Sequence, residues 1–475
     1  MAYNFRNCDW DQLFLFPPDI RDWLPQDHLV WFITEIVSQL DLSPFYSRYN
    51  PEGDGRPAYH PAMMTALYFY SYCSGERSSR RIERLCMESV PYRVVSGGLQ
   101  PDHTTISRFR KKFASELSAL FLQIITLCRK AGLCTLNTVS LDGTKIGANA
   151  SLSANRNEAG LRKEIRNYFR EADDADARED ELYGPGRRGD ELPPDLSTRE
   201  GRLRRLREIQ KSLREEQEEK VREQEKKIED RSAQEESTGK KKRGRKPKSV
   251  ETVQEKASER LKVNITDPES RIMKTAKGHL QGYNAQAAAS EDRIILSAEV
   301  TRDCNDKKQL LPMLERTKEN LAAADRTLRM GTLLADAGYF SRKNLEEADP
   351  KGPELLVAVS SEWKSRGRRT DGEAPSPTPL SPASVMEEKL RSPGGKELYR
   401  KRGITIEPVF GHIKEVLGFR RFMRRGLEAC VNEWKLICMA HNLLKLWRYG
   451  IDKVRKTAGA LRMTEEREKA TACAA

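Results

Sequence analysis

The sequence lacks several features that mark common protein classes. No apolar run reaches about 18 residues, so no membrane-spanning helix is expected. The N-terminal stretch "MAYNFRNCDWDQLFLF" has no basic segment followed by an apolar block, so no signal peptide is expected. The nine cysteines are scattered and odd in number, with no short-spaced framework. That pattern fits a reducing, cytoplasmic setting. There is no Walker-type Gly-rich loop and no dinucleotide fingerprint, which argues against the commonest nucleotide-binding chemistries. Histidines number six, and none combines with cysteine at a common zinc spacing. Cys430, Cys438 and His441 share one C-terminal helical pattern, but their apolar neighbours read as core, with buried thiols.

What is present is charge. Lys and Arg total 84 against 71 Asp and Glu, a formal net charge of +13 over 475 residues. The length predicts two or three domains, and the basic excess points to a polyanionic partner, most simply nucleic acid.

Residues 1–128 read as a helical, DNA-binding region. "PQDHLVWFITEIVSQLD" places Leu29, Phe32, Ile33, Ile36, Val37 and Leu40 on one face. "HPAMMTALYFYSYCSG" has Pro61 at a first helical turn and Gly75 at the stop. In "PDHTTISRFRKKF", Thr104 or Thr105 is expected to cap a helix with Ile106, Phe109 and Phe113 inward. Ser107, Arg108, Arg110, Lys111 and Lys112 are then expected outward. Short helices before a basic one resemble a helix-turn-helix; an ordinary basic surface helix fits equally well. His60 and His103, at helix starts, read as capping or packing residues, and His412 as a helix-surface or DNA-near residue rather than a metal ligand.

Residues 155–260 change character, to a charged helical insertion. A helix from Asn157 and a second one, opened by the capping box Ser197 with Glu200, are expected to pair as a hairpin. Its seam would join Leu161, Ile165 and Phe169 to Leu203, Leu206 and Leu213. "GKKKRGRKPK" then reads as a solvated basic tether, with contact to the DNA minor groove or backbone as the alternative. Strand-like runs bracket this insertion, so 129–154 and 261–450 are expected to form one α/β domain, with a Pro/Ser-rich loop at 364–384 and a loose tail from 451.

Three acids stand out by context. The apolar runs of "TVSLDGTKI" and "TLLADAGYF" end in Asp142 and Asp336, and "IEPVFGHIK" carries Glu407 at an expected helix start, with Pro408 in the first turn. One Asp after a strand is ordinarily a turn residue or cap. Two strand-end acids plus one acid opening an apolar helix point instead to a site at one edge of a sheet. Converging carboxylates need protons or a counter-cation, and hard oxygen donors suit Mg²⁺ or Mn²⁺. Lys414, seven residues beyond Glu407, would share its face and reach a phosphate.

"SLDGTKI", "GYNAQAA", "ADAGYF" and "YRKRGITIEPVFGHIK" together resemble the DDE transposases of bacterial insertion sequences. The resemblance implies a ribonuclease H-like mixed sheet flanked by helices, with an all-α N-terminal domain. It implies end binding, metal-dependent DNA strand cleavage and strand transfer, with DNA as partner and a homodimer at synapsis. Asp142 would bridge two ions, while Asp336 and Glu407 would each hold one. Tyr399, Arg402 and Lys414 match the family's Tyr, Arg and Lys and would position terminal phosphates. The Arg-to-Glu gap is one residue longer here than in the family pattern. A non-catalytic DNA-binding protein of the same fold, or a nuclease without strand transfer, are the rival readings.

Overall fold

The structure, a computed structural model, describes residues 20–49, 57–165, 199–239, 241, 246–276, 278–359 and 381–473. Ser197, Phe169 and residues 364–380 of the Pro/Ser-rich loop lie outside these.

Seven helices precede the first strand among the described residues: α1 (Leu29–Ser38), α2 (Ser43–Tyr46), α3 (Pro61–Cys73), α4 (Ser79–Glu88), α5 (Val90–Val95), α6 (His103–Lys112) and α7 (Ala114–Lys130). Their ends follow local chemistry. His28 caps α1 by accepting from the Val30 N–H, and Ser78 caps α4 through Arg81. Pro61 opens α3, whose stop leads into Gly75 at φ +76°. The expected inward face of α1 is buried except for Phe32, which is partly buried, and Val30 joins it. The cap of α6 is Asp102, not Thr104 or Thr105: its carboxylate accepts from the Thr105 N–H at 2.9 Å and hydroxyl at 2.7 Å. Asp precedes both threonines and takes the role with a stronger, charged acceptor.

The α/β part is a six-stranded mixed sheet of β1 (Thr138–Gly147), β4 (Arg271–Thr275), β5 (Gly278–Ser290), β6 (Ile295–Thr301), β7 (Thr332–Ala335) and β8 (Glu354–Val357). The order is β4-β5-β1-β7-β8, and the long β5 pairs β4 and then β6 along its outer edge. β1 is antiparallel to β5 and parallel to β7, and β7 is parallel to β8. Strands buried on both faces read as apolar runs, and Ala285, Ala287, Ala288 and Ala289 are fully buried. This is the expected fold class, a ribonuclease H-like mixed sheet with an all-α N-terminal region.

Helices cover the sheet. After a helix at 158–165, α8 (Arg199–Thr238) and α9 (Val250–Arg260) form the insertion. α10 (Leu310–Ala324) and α11 (Arg342–Glu347) flank β7, and α12 (Pro382–Arg391) leads into α13 (Pro393–Gly411) and α14 (Leu427–Cys473). α14 is stitched to the sheet by Asn442, which accepts from the Ile295 N–H and donates to its carbonyl. One continuous core runs from the N-terminal helices through α14 into the sheet. The insertion has its own small core of Leu161, Leu206, Ile209, Leu213 and Val263, with Ile165 packed against it; of the expected seam Leu203 is not part of this core, and Ile209 and Val263 are additions. It joins the sheet domain at a two-stranded neck, β2 (Asn155–Arg156) on β3 (Val263–Asn264).

Two expectations need correction. α12 starts at Pro382, inside the segment expected as a loop, where Ser381 caps it through Ser384. α14 continues to Cys473, through the expected tail. Residues 451–473 contain no proline and are rich in Ala, Lys, Arg and Glu, all good helix formers.

Candidate active site

β1 and β7 bring the first two acids together. Leu141 pairs with Ala335, and Asp142 and Asp336 are the next residues on each strand. The two strands part company at this point. β7 ends there, and Asp336 caps a short 3₁₀ turn by accepting from the Gly338 N–H at 2.8 Å. β1 does not end at Asp142; it pairs with β5 as far as Gly147. The end of the apolar run therefore marks where β7 leaves β1, not where the strand stops.

Glu407 does not open its helix. α13 begins at Pro393, capped by Ser392, and both Glu407 and Pro408 lie inside it. Ile406 and Val409 are fully buried and Phe410 nearly so, while Ile404 is 65% exposed. The apolar neighbours thus seat α13 against β1, β5 and β7, and leave Glu407 on the outward side. Pro408 cannot donate to the Ile404 carbonyl four residues back. Arg293 does so instead, from Nε at 3.2 Å.

Arg402, more than one turn before Glu407, links the acids. Its Nη1 donates to Asp142 Oδ2 at 3.1 Å, and its Nη2 lies 3.6 Å from Glu407 Oε1. Tyr399 is buried beside it, its phenol pushed up by that burial and relieved by the guanidinium. Burial pushes the Asp142 carboxyl up to about 6; Arg402 opposes the shift and the charge of Asp336 adds to it. Asp142, Asp336, Tyr399, Arg402 and Glu407 therefore share one neighbourhood. Among the described residues no three His, Cys, Asp or Glu side chains are grouped to hold one ion as they stand, and the Arg402 guanidinium contacts both Asp142 and Glu407.

Lys414 falls in a π-helical turn, His412–Val416, directly after α13. Its Nζ donates to the Lys145 carbonyl of β1 at 3.0 Å, and burial lowers its pKa. It is anchored to the strand that carries Asp142, with two of its three N–H bonds left for another acceptor.

A fourth acid was not anticipated. Asp306 Oδ1 accepts from Asn284 Nδ2 at 2.6 Å and Gln286 Nε2 at 2.8 Å, with Lys145 Nζ at 3.7 Å. Tyr339 donates its hydroxyl to Gln286 Oε1. Burial, then the charges of Asp306, Asp142 and Asp336, push the Tyr339 phenol far up. Gly143 leaves room for this network: a Cβ would collide with Gln286 Nε2 and lie 2.7 Å from Asp306 Oδ1.

The basic face of α6 is divided. Arg108 and Lys111 are exposed. Lys112 is exposed but tied down, donating to the Arg48 carbonyl at 3.3 Å with Nζ 4.5 Å from the centre of the Tyr49 ring. Arg110 contradicts the outward expectation. It turns inward, donating to the Arg77 carbonyl at 3.3 Å and reaching Tyr72 Oη at 3.5 Å, within the field of buried Glu433. It lies four residues after Ile106 and three before Phe113, on the helix's inward stripe. His103 pairs with Glu83 at 2.8 Å and so ties α6 to α4. His60 precedes Pro61 without a capping bond and packs on Tyr46. His412 is not a free surface residue: its Nδ1 meets His441 Nδ1 at 2.9 Å.

Comparison with known families adds two matches. A family model described as Transposase domain (DUF772) matches residues 18–112, and one described as Transposase DDE domain matches residues 247–443. The second spans Asp336, Tyr399, Arg402, Glu407 and Lys414, and begins after Asp142, within the last part of the insertion. No curated protein and no solved structure matches the chain. Among the described residues no helix is long and apolar enough to cross a membrane. The two matches together take in the N-terminal helices and most of the sheet domain, and with them the chain belongs to the DDE transposases of insertion-sequence type, DNA transposases with DNA as their partner.

Proposed function

We propose that this transposase cuts DNA at the ends of its element in a divalent-metal-dependent reaction, then joins the freed 3′-hydroxyl to target DNA. The observation that carries this reading is the placement of Asp142 and Asp336 side by side on parallel strands, with Glu407 reached through one guanidinium.

The donor set suits Mg²⁺ or Mn²⁺: all three side chains offer hard oxygens. The electrostatics agree, because a buried carboxyl held at about 6 beside a second acid is a site short of positive charge. Asp142, Asp336 and Glu407 would hold the metal, with Asp142 between the other two. Metal held by these carboxylates would supply Lewis-acid activation of an attacking water or hydroxyl and charge stabilisation of the leaving oxygen.

The chain's own residues do the rest. Asp142 must lose its proton to act, and Arg402 favours the charged form. Arg402 then exchanges carboxylate for phosphate, both of which its planar fork accepts. Tyr399, packed against Arg402, fixes the guanidinium's direction. Lys414, tethered to Lys145, presents its remaining N–H groups to a phosphate oxygen. Arg108 and Lys111 add affinity along the DNA backbone.

The test is a labelled duplex carrying the element's end, incubated with protein and Mg²⁺. Cleavage with joined product supports the reading. Cleavage without joining favours a nuclease, and binding without cleavage favours a non-catalytic DNA-binding protein.

A further inference from the structure

A cavity of about 350 Å³ is walled by Pro408 of α13, the β5–β6 turn and α14. Arg293, His412, His441, Lys445 and Arg448 line it with Pro408. Nothing in the cleavage chemistry uses it.

Its wall is built with care. Arg293 stands at φ +63°, a backbone conformation that side chains other than glycine seldom adopt. The turn is held from both sides. Arg293 Nε serves the Ile404 carbonyl that Pro408 leaves without a helical partner, and the Arg293 carbonyl is met by His441 Nε2 at 2.9 Å. That second bond fixes the protons. A carbonyl only accepts, so His441 Nε2 carries the hydrogen. His441 is fully enclosed and its pKa falls to about 3, mainly through burial, so the ring is neutral and its Nδ1 accepts. His412 Nδ1, 2.9 Å away, must therefore donate. The open end of this relay is His412 Nε2, which is buried and has no hydrogen-bond partner.

The charges around that open end have one sign. His441, Lys445 and Arg448 succeed one another along α14 at helical spacing, with Arg293 opposite. Among the described residues neither Lys445 nor Arg448 has an ion-pair partner. Tyr449 also borders the cavity, and the nearest acid acting on Lys445 is Asp292, whose carboxylate already accepts from the Thr135 N–H at 2.6 Å. Three cations on a partly enclosed wall suit a tetrahedral oxyanion, and the imidazole nitrogen beside them joins as a donor once it takes up a proton.

We propose that this cavity binds a phosphodiester group of DNA, with Arg293, Lys445 and Arg448 supplying charge and His412 donating from Nε2. The proposal rests on the chain acting on DNA, and it adds a backbone contact beside Glu407 on the same helix. Binding there is coupled to a proton. In the empty cavity burial, Arg448 and Lys445 keep the His412 pKa below its ordinary value. A phosphate cancels that repulsion, so His412 takes up a proton on Nε2 as DNA binds, and affinity rises as pH falls.

The experiment measures binding of a labelled duplex by fluorescence anisotropy across salt concentration and pH, without metal. For the Lys445→Ala, Arg448→Ala double variant the salt slope should fall by about one unit, with affinity down about tenfold near 0.1 M salt. His412→Gln, whose amide donates at any pH, should keep the salt slope and lose the affinity gain between about pH 8 and pH 6. Histidine-ring NMR of the unmodified protein gives a reading that needs no variant: DNA should shift the His412 signals. An unchanged slope in the double variant overturns the proposal, as does a full pH response in His412→Gln. It is overturned too if inorganic pyrophosphate moves the His412 signals and DNA does not, since the cavity would then serve a small anion. Failure of these binding arms leaves metal-dependent cleavage untouched, whereas lost cleavage with intact binding would overturn the functional reading alone.

Discussion

Arg402 holds Asp142 and Glu407 on one guanidinium, 3.1 Å from the first carboxylate and 3.6 Å from the second. The pair with Asp142 is mostly buried, the contact with Glu407 mostly exposed, so the two are not equal in energy. Arg402→Ala should therefore cost stability through Asp142. At pH 8 without metal the loss should be about 1–3 kcal/mol, because a buried carboxylate is left unpaired. At pH 5 the loss should shrink, since Asp142 is then largely protonated. Thermal melts at the two pH values check this.

The raised Asp142 carboxyl makes a second prediction. The folded chain holds this proton up to about pH 6, whereas the unfolded chain releases it near 4. Between those values the native state binds more protons, so its stability falls as pH rises, by roughly 3 kcal/mol in all. Asp142→Asn should remove much of that loss, stabilising the metal-free protein at pH 8 and not at pH 4. Added Mg²⁺ should raise the melting temperature of the unmodified protein at pH 8 and do little at pH 5, where the proton competes. A metal-free melting curve without this pH dependence would show that Asp142 is not held in its protonated form.

Gly143 and Asp306 test the unanticipated network. Gly143→Ala pushes a methyl group into Gln286 and Asp306, and should destabilise by about 1–3 kcal/mol. Asp306→Asn keeps the shape and one acceptor oxygen for the Asn284 and Gln286 donors but removes the charge they and Lys145 face. It should lower both stability and cleavage, read by denaturant titration and by a cleavage assay.

On α6, substitutions should separate two roles. Arg110→Ala removes an inward-facing charge with its hydrogen bonds to Arg77 and Tyr72. It should cost about 2–4 kcal/mol of stability. Arg108→Ala with Lys111→Ala should leave the melting temperature unchanged and flatten the salt dependence of DNA binding by up to about two units.

The insertion should be removable at its neck. Asn155 pairs with Asn264 and Arg156 with Val263, so a short turn joining Arg156 to Val263 replaces residues 157–262 without crossing the six-stranded sheet. The deleted chain should keep its strand and helix signals in circular dichroism and melt cooperatively.

Much of this was legible in the sequence because burial leaves periodic marks. Apolar runs ending in Asp142 and Asp336 located two carboxylates, and the parallel register of β1 and β7 set them side by side. Ile406, Val409 and Phe410 marked the face of α13 that meets the sheet. Other features have no local mark. Asp306 sits in the polar run "TRDCNDKK", and only amides from a distant strand distinguish it. Pro408 resembled a helix start because a mid-helix proline needs an outside donor, and Arg293 is remote in sequence. Arg110 did carry a signal: its spacing from Ile106 and Phe113 placed it inward, and its charge hid that.

The central claim is that Asp142, Asp336 and Glu407 form one metal-dependent cutting site. Glu407→Gln tests it most directly, because the side chain is largely exposed and its loss should not disturb the fold. With Mg²⁺ and a labelled element end, the variant should bind DNA as the unmodified protein does while cleavage falls by orders of magnitude. Cleavage by Glu407→Gln at close to the unmodified rate would contradict the account.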